Sequence, residues 1–201
     1  RSERQVQGLI LVPTRELAMQ VADHLNHFSK YTPLRAVPIY GGESIQKQIN
    51  TLRRGIQIVV GTPGRVIDHL KRSTLRLNAV KVVVLDEADR MLDMGFRDDI
   101  DYILSKVPKP RQLSLFSATI DSFVMQISHQ YMNNPEKILV SRDEIALPQI
   151  TQRYTLVNPH DKFDVLCRLI EKENINRAIV FCRTRAGARR LADKLRLNGY
   201  D

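Results

Sequence analysis

Val82-Val-Val-Leu-Asp86-Glu87-Ala88-Asp89 sets four apolar residues directly ahead of three carboxylates, and the fold can be read outward from it. The run Val80–Leu85 is apolar at every position but Lys81. That predicts a strand buried on both faces, as in a parallel sheet covered by helices. Asp86 and Glu87 then leave the strand at its carboxyl end. Adjacent carboxylates so placed can anchor Mg2+ through bound water and polarise an attacking water, as in many nucleotide hydrolases. The same pair also suits a helix start, where acidic side chains meet the positive end of the helix dipole.

The flanking segments repeat this strand-then-helix beat. Gly8-Leu-Ile-Leu-Val-Pro13 reads as a buried strand stopped by proline. It feeds a helix from Thr14 in which Leu17, Val21 and Leu25 recur every four residues. Ala36–Tyr40 predicts a strand leading through Gly41-Gly42 into a helix over 44–54, closed by Gly55. Ile56–Val60 predicts another strand, followed by Thr62 as N-cap and Pro63 at the first helical position. Two more strands are expected at Leu113–Phe116 and Lys137–Val140, with a helix at Ser122–Met132 between them. Leu104, Leu113 and Phe116 read as core by periodicity.

This alternation predicts an α/β fold, a parallel sheet with helices on both faces. Such sheets meet ligands at the carboxyl ends of their strands. Pro13-Thr-Arg15, Gly61-Thr-Pro-Gly-Arg65, Asp86-Glu-Ala-Asp89 and Ser117-Ala-Thr119 all fall there. The pattern fades after Ser141, so 142–150 reads as a linker between a domain over 1–141 and a second over 151–201. In the second, strands are expected at Gln152–Val157 and Arg177–Cys182. Helices are expected from about His160 to Glu173 and at Ala186–Leu197, the latter ending at Gly199.

Composition sets the outer bounds. The 201 residues are 43% hydrophobic and 26% charged, an ordinary globular balance. No apolar run approaches the ~20 residues that span a bilayer, and Arg1-Ser-Glu-Arg opens no apolar leader. No membrane partner is expected, and the cytoplasm is the expected location. Cys167 and Cys182 sit in apolar-periodic segments and read as buried free thiols. His24 and His27, three apart with no further ligand nearby, read as surface or half-buried residues and not as a metal site. The net charge of +9 is spread along the chain and admits a polyanionic partner.

Taken together the motifs resemble the DEAD-box family of superfamily 2 ATP-dependent RNA helicases. Pro13-Thr-Arg-Glu-Leu-Ala18 is similar to its motif Ia, Gly41-Gly42 to its double glycine and Thr62-Pro-Gly-Arg65 to motif Ib. Asp86-Glu-Ala-Asp89 is similar to motif II, Ser117-Ala-Thr119 to motif III and Ile179-Val-Phe-Cys-Arg-Thr184 to motif IV, all in the family's order. The resemblance implies a RecA-like domain followed by the start of a second. It implies ATP and Mg2+ as cofactors and RNA as partner, bound through its backbone with little sequence preference. Asp86 is the implied Mg2+ anchor and Glu87 the implied water-activating carboxylate. Ser117 and Thr119 would bond Asp89 to couple nucleotide state to domain closure. Pro13, Thr14, Arg15, Gly42, Thr62, Pro63, Gly64 and Arg65 would line RNA, joined by Arg183 and Thr184.

A phosphate-binding G-x-x-x-x-G-K loop is absent, since no two of the nine glycines lie five apart. The resemblance places that loop and the adenine-reading motif upstream of Arg1, and motifs V and VI beyond Asp201. These 201 residues alone are therefore expected not to turn over ATP. Two rival readings stand beside this one: a non-enzymatic RNA-binding protein, and a metal-dependent nuclease using Asp86 and Glu87. The nuclease needs carboxylates from further strands, where this sequence has Thr, Arg, Gly and Ser.

Overall fold

β1 (Gly8–Leu11) is the axis of the architecture, with β3 (Ile58–Gly61) paired on one side and β4 (Val82–Leu85) on the other. β2 (Ala36–Ile39) adds to β3 and β5 (Gln112–Leu115) to β4, giving the order β2-β3-β1-β4-β5 with every pair parallel. A computed structural model of the chain describes residues 5–120, 122–139, 151 and 153–200. It separates into two compact units, Arg1–Ile138 and Leu139–Asp201.

The helices of the first unit are α1 (Arg15–Phe28), α2 (Ile45–Leu52), α3 (Pro63–Lys71), α4 (Ala88–Asp93), α5 (Arg97–Ser105) and α6 (Ser122–Tyr131). Parallel neighbours need crossover connections, and the helices supply them. Side chains alternate across each strand. Leu9, Leu11, Val59, Val83 and Leu85 join Val66, Met91, Ile100, Ile103, Leu104 and Ile127 of the helices in one large core. On the other face α1 builds a smaller cluster. The periodic Leu17, Val21 and Leu25 are only half-buried there, while Ala18 and Ala22 are fully buried with Val12, Ala36 and Val60. The two alanines let the helix approach β2 and β3 closely.

Strands β1 to β3 fall within a few residues of their expected places, but the expectation of burial on both faces fails at β4. Val83 and Leu85 are buried, whereas Val82 is 39% exposed, because α1 covers β2 and β3 and, among the described residues, this end of the sheet is left open. Phe116 is corrected for the same reason. Alternation puts it on the open face, 58% exposed, while Leu104 is buried and Leu113 half-buried as core periodicity requires. No strand forms at Lys137–Leu139, and Val140 lies outside the described residues.

The second unit contributes α7 (Lys162–Lys172) and α8 (Arg185–Leu197). Its expected strands are not formed over 153–157 or 177–182, and Gln152 and the linker 142–150 lie outside the described residues. A strand exists only through a partner's backbone, and no described residue of this unit supplies one. Ile179 and Phe181 are accordingly 83% and 91% exposed. The thiols are corrected with them, Cys182 being exposed and Cys167 only half-buried. His24 and His27 are exposed, as expected.

Candidate nucleotide and nucleic-acid site

Because every strand runs the same way, the carboxyl ends of β1, β3, β4 and β5 share one edge. The chain places its polar motifs there. The Asp86 N–H donates to the Leu11 carbonyl at 3.0 Å, fastening the end of β4 to β1. The next residue, Glu87, adopts a left-handed conformation (φ 49°, ψ 51°) that costs an L residue roughly 1–2 kcal/mol. This kink turns the chain into α4, where the Ala88 N–H is taken up by the Phe116 carbonyl at 3.0 Å. Strain of this kind concentrates at functional sites.

Asp86 and Glu87 differ in their partners. Asp86 Oδ1 accepts the Glu87 N–H at 3.0 Å, and among the described residues no cation is paired with Asp86. Glu87 Oε2 is met by Arg90 Nη1 at 3.1 Å, an exposed pair of little stabilising worth. Arg90 was not signalled by the motif, although its spacing of three from Glu87 on a helix start allows the contact.

Asp89 is the most firmly held of the three carboxylates. Thr119 donates to its Oδ2 through both hydroxyl and N–H, each at 3.0 Å. The Arg90 N–H donates to Oδ1 at 2.9 Å. Partial burial pushes this carboxyl up, but the Thr119 hydroxyl and the Arg90 and Thr119 N–H groups outweigh it and hold the group below the usual carboxylate range. Ser117 also helps to lower the carboxyl, as the weakest of these donors, and has a further contact. Its hydroxyl accepts the Asp89 backbone N–H at 3.3 Å, so it also fixes the main chain of α4, while Thr119 is the stronger partner of the carboxylate.

The remaining motif residues flank these groups. Thr14 caps α1 by accepting the Leu17 N–H at 3.3 Å, after a buried Pro13. Arg15 is exposed beside Glu16 at 3.1 Å. Gly42 has φ +85°, a conformation open to glycine and strained for other residues. Thr62 is the N-cap of α3 with Pro63 at its start, and its hydroxyl makes no capping bond. Gly64 is exposed. Gly61, which the sequence reading left without a role, is fixed by space: a Cβ there would lie 2.7 Å from both Ile39 Cγ1 and Val66 Cγ2. In the second unit Arg183 is exposed, and Thr184 caps α8 by accepting the Gly187 N–H at 3.0 Å.

Arg65 points inward, its side chain only 11% exposed. Nη1 donates to the Glu43 carbonyl at 3.1 Å and to Gln48 Oε1 at 3.0 Å, and Nε faces Asp68 at 3.7 Å. Gln48 in turn donates to the Tyr40 carbonyl at 3.0 Å. The fully buried His69 joins it through Nε2 at 3.0 Å and reaches Thr74 Oγ1 through Nδ1 at 2.8 Å. Since Gln48 Oε1 can only accept, Nε2 carries the proton, and the Thr74 hydroxyl shares its one hydrogen between Nδ1 and the His69 carbonyl, 3.1 Å away. Burial, reinforced by Arg65, holds His69 below its ordinary value. This network locks the double-glycine loop to the start of α3. Its signal in the sequence was a polar residue inside an apolar stripe: Gln48 among Ile45, Ile49 and Leu52, and His69 beside Val66 and Leu70.

A family model described as DEAD/DEAH box helicase matches residues 1–127. The DEAD-box ATP-dependent RNA helicase CshA of Bacillus cereus is 46% identical over 98% of this chain and 38% of its own length. The CshA of Geobacillus kaustophilus is 48% identical over 97% of this chain and 42% of its own. The chain thus spans about two-fifths of the length of these relatives. Among solved structures, a DEAD box protein from the hyperthermophile Methanococcus jannaschii superposes with a TM-score of 0.67 at 39% identity, covering 99% of this chain and 53% of that one. With the family model matching more than half of its residues, the chain belongs to the DEAD/DEAH box helicase family, and its own Asp86-Glu-Ala-Asp89 puts it among the DEAD-box members.

Proposed function

We propose that this protein acts in ATP-dependent separation of short RNA duplexes or remodelling of RNA–protein assemblies. The observation that carries the reading is the edge formed by the carboxyl ends of β1, β3, β4 and β5. There adjacent Asp86 and Glu87 stand on a strained turn, and Asp89 is tied to Thr119. The relatives named above, ATP-dependent RNA helicases by name, support it.

Each residue has a task that its surroundings allow. Asp86, a hard oxygen donor with no cation against it, fits a Mg2+ held by one or two carboxylates with waters and phosphates, and no group of three His, Cys, Asp or Glu forms an all-protein cage among the described residues. Bound there, the ion supplies charge neutralisation to the phosphates. Glu87 orients and polarises the water that attacks the terminal phosphate. Thr119 passes the state of Asp89 to the segment after β5. Arg15, Gly42 and the free start of α3 at Thr62-Pro-Gly64 meet the RNA backbone, with helical N–H groups suited to a phosphate. Arg65 holds that surface in shape through Glu43 and Gln48, and Arg183 with Thr184 offers a further contact.

The test is release of a labelled strand from a short RNA duplex. With the intact protein, release is expected only with ATP and Mg2+ together and at similar rates for unrelated sequences. Release that ignores ATP, or RNA cleavage in its place, would overturn the proposal.

A further inference from the structure

The opposite edge of the same sheet carries a charge pattern that the ATP and RNA motifs do not use. Four loops enter the strands there: 29–35 before β2, 53–57 before β3, 72–81 before β4 and 106–111 before β5. The first two hold Lys30, Arg35, Arg53 and Arg54. The last two hold Arg72, Arg76 and Lys81, then Lys106, Lys109 and Arg111. Not one Asp or Glu occurs in these 28 residues, in a chain with 22 among 201. All ten cations but Arg111 are exposed, and none takes part in an ion pair among the described residues. Because the sheet is parallel, the topology gathers them on one edge, roughly 20 Å wide for five strands. So many like charges without a counter-ion among the described residues repel one another and weaken the fold, which argues for a polyanion that neutralises them.

A second observation narrows the polyanion. α1 runs back to this edge and ends at Phe28, which is 80% exposed, and Tyr31 just beyond is 90% exposed. Lys30 Nζ lies 5.4 Å from the Tyr31 ring centroid. Beside them a polar cleft of about 710 Å3 is lined by Lys30, Arg35, Arg54, Asn26 and Thr51 among others. Bare rings among cations, next to an open polar cleft, suit stacked bases and a tracked phosphate backbone. A protein partner would call for a packed apolar centre, whereas the bare rings here stand among cations beside a polar cleft.

We infer that the amino-terminal edge of the sheet is a second, sequence-tolerant site for single-stranded RNA, centred on Tyr31, Lys30, Arg35 and Arg54. The inference rests on the reading of RNA as the partner, and places a flanking single strand on the side away from the ATP-linked edge. Binding here needs no nucleotide.

The test is anisotropy of a fluorescein-labelled 20-nucleotide oligouridylate across a KCl series without ATP, using the full chain. The exposed triple variant Lys30→Ala, Arg35→Ala, Arg54→Ala is expected to lower the log–log salt slope by about 2 units, at about 0.7 for each single-strand phosphate released. Tyr31→Ala is expected to weaken binding roughly 5- to 150-fold, the worth of one stacked base. A 4-thiouridine probe on the unaltered chain is expected to cross-link within Phe28–Arg35, a readout independent of any variant's folding. An unchanged slope in the triple variant, or cross-links confined to the opposite edge, overturns the inference. If Arg15→Ala loses RNA while the triple variant does not, the proposed function stands and this second site falls. An unaltered chain that binds no RNA removes both. Polyglutamate displacing the probe as well as RNA of equal charge would assign the edge to an acidic protein and overturn the inference.

Discussion

Replacing Thr119 by Val removes one hydroxyl, keeps the side-chain shape and keeps the N–H that also donates to Asp89 Oδ2. A hydrogen bond to a charged group is worth roughly 1.5–3 kcal/mol. Thr119 is exposed and Asp89 half-buried, so water recovers part of this and the low end applies. A loss near 1.4 kcal/mol shifts a two-state closure equilibrium about tenfold. Ser117→Ala removes the 3.3 Å acceptor of the Asp89 N–H, a neutral bond worth about 0.5–1.5 kcal/mol, and the weakest of the donors that lower its carboxyl, and should matter less. The assay is ATP turnover and strand release on the same preparation of the intact protein. Thr119→Val is expected to lower strand release about tenfold with turnover nearly kept, and Ser117→Ala to lower it a few-fold at most. In Thr119→Val the Asp89 carboxyl also titrates higher, because a donor that held it down is gone. Turnover and release falling together would place the hydroxyl in the hydrolysis machinery. Equal damage from the two variants would show that the Thr119 bond to the carboxylate is not what sets the coupling, and no damage from either would show that the coupling runs elsewhere.

Other expectations concern the flanking residues. Arg15→Ala should weaken RNA binding alike across sequences and flatten the salt slope by about 0.7 units, read by titration at several KCl concentrations; a loss confined to one sequence contradicts backbone contact. Arg65→Ala should instead cost stability, about 1–3 kcal/mol by urea denaturation, because it strips Gln48 and the Glu43 carbonyl of their donor; an unchanged midpoint contradicts the bracing role. His69 is held below its ordinary value, so on acidification the unfolded chain binds its proton first. Stability should therefore fall as pH drops below about 6.5 toward the lower folded value, and His69→Gln should flatten that dependence in urea midpoints; equal pH slopes in the two proteins refute it.

The sequence exposed the sheet and its edge because strand runs and turn chemistry are local signals. Pro13, Thr62-Pro63 and the Asp86-Glu pair fall where apolar runs end, and the structure puts them on one edge. What escaped depends on three-dimensional neighbours. Val82 and Phe116 are apolar and still exposed, because periodicity cannot tell whether a helix covers that part of the sheet. The alanine face of α1 outranked its leucine face in burial for want of space, not of hydrophobicity. Arg65 carries the charge that a phosphate contact needs, but only the fold reveals that its guanidinium is already engaged by Glu43 and Gln48. The strands expected at 153–157 and 177–182 have the right composition and no partner among the described residues, and composition cannot supply one.

Glu87 bears the central claim, since it alone is assigned the attacking water while Asp86 is assigned the metal. The direct measurement is Glu87→Gln in the intact protein, with RNA-stimulated phosphate release and ATP binding followed side by side. Turnover is expected to collapse, on the order of 100-fold or more for loss of a water-activating base, while ATP binding stays within a few-fold. Turnover that persists at the unaltered rate, or binding that is lost along with it, would contradict the roles assigned to the two carboxylates.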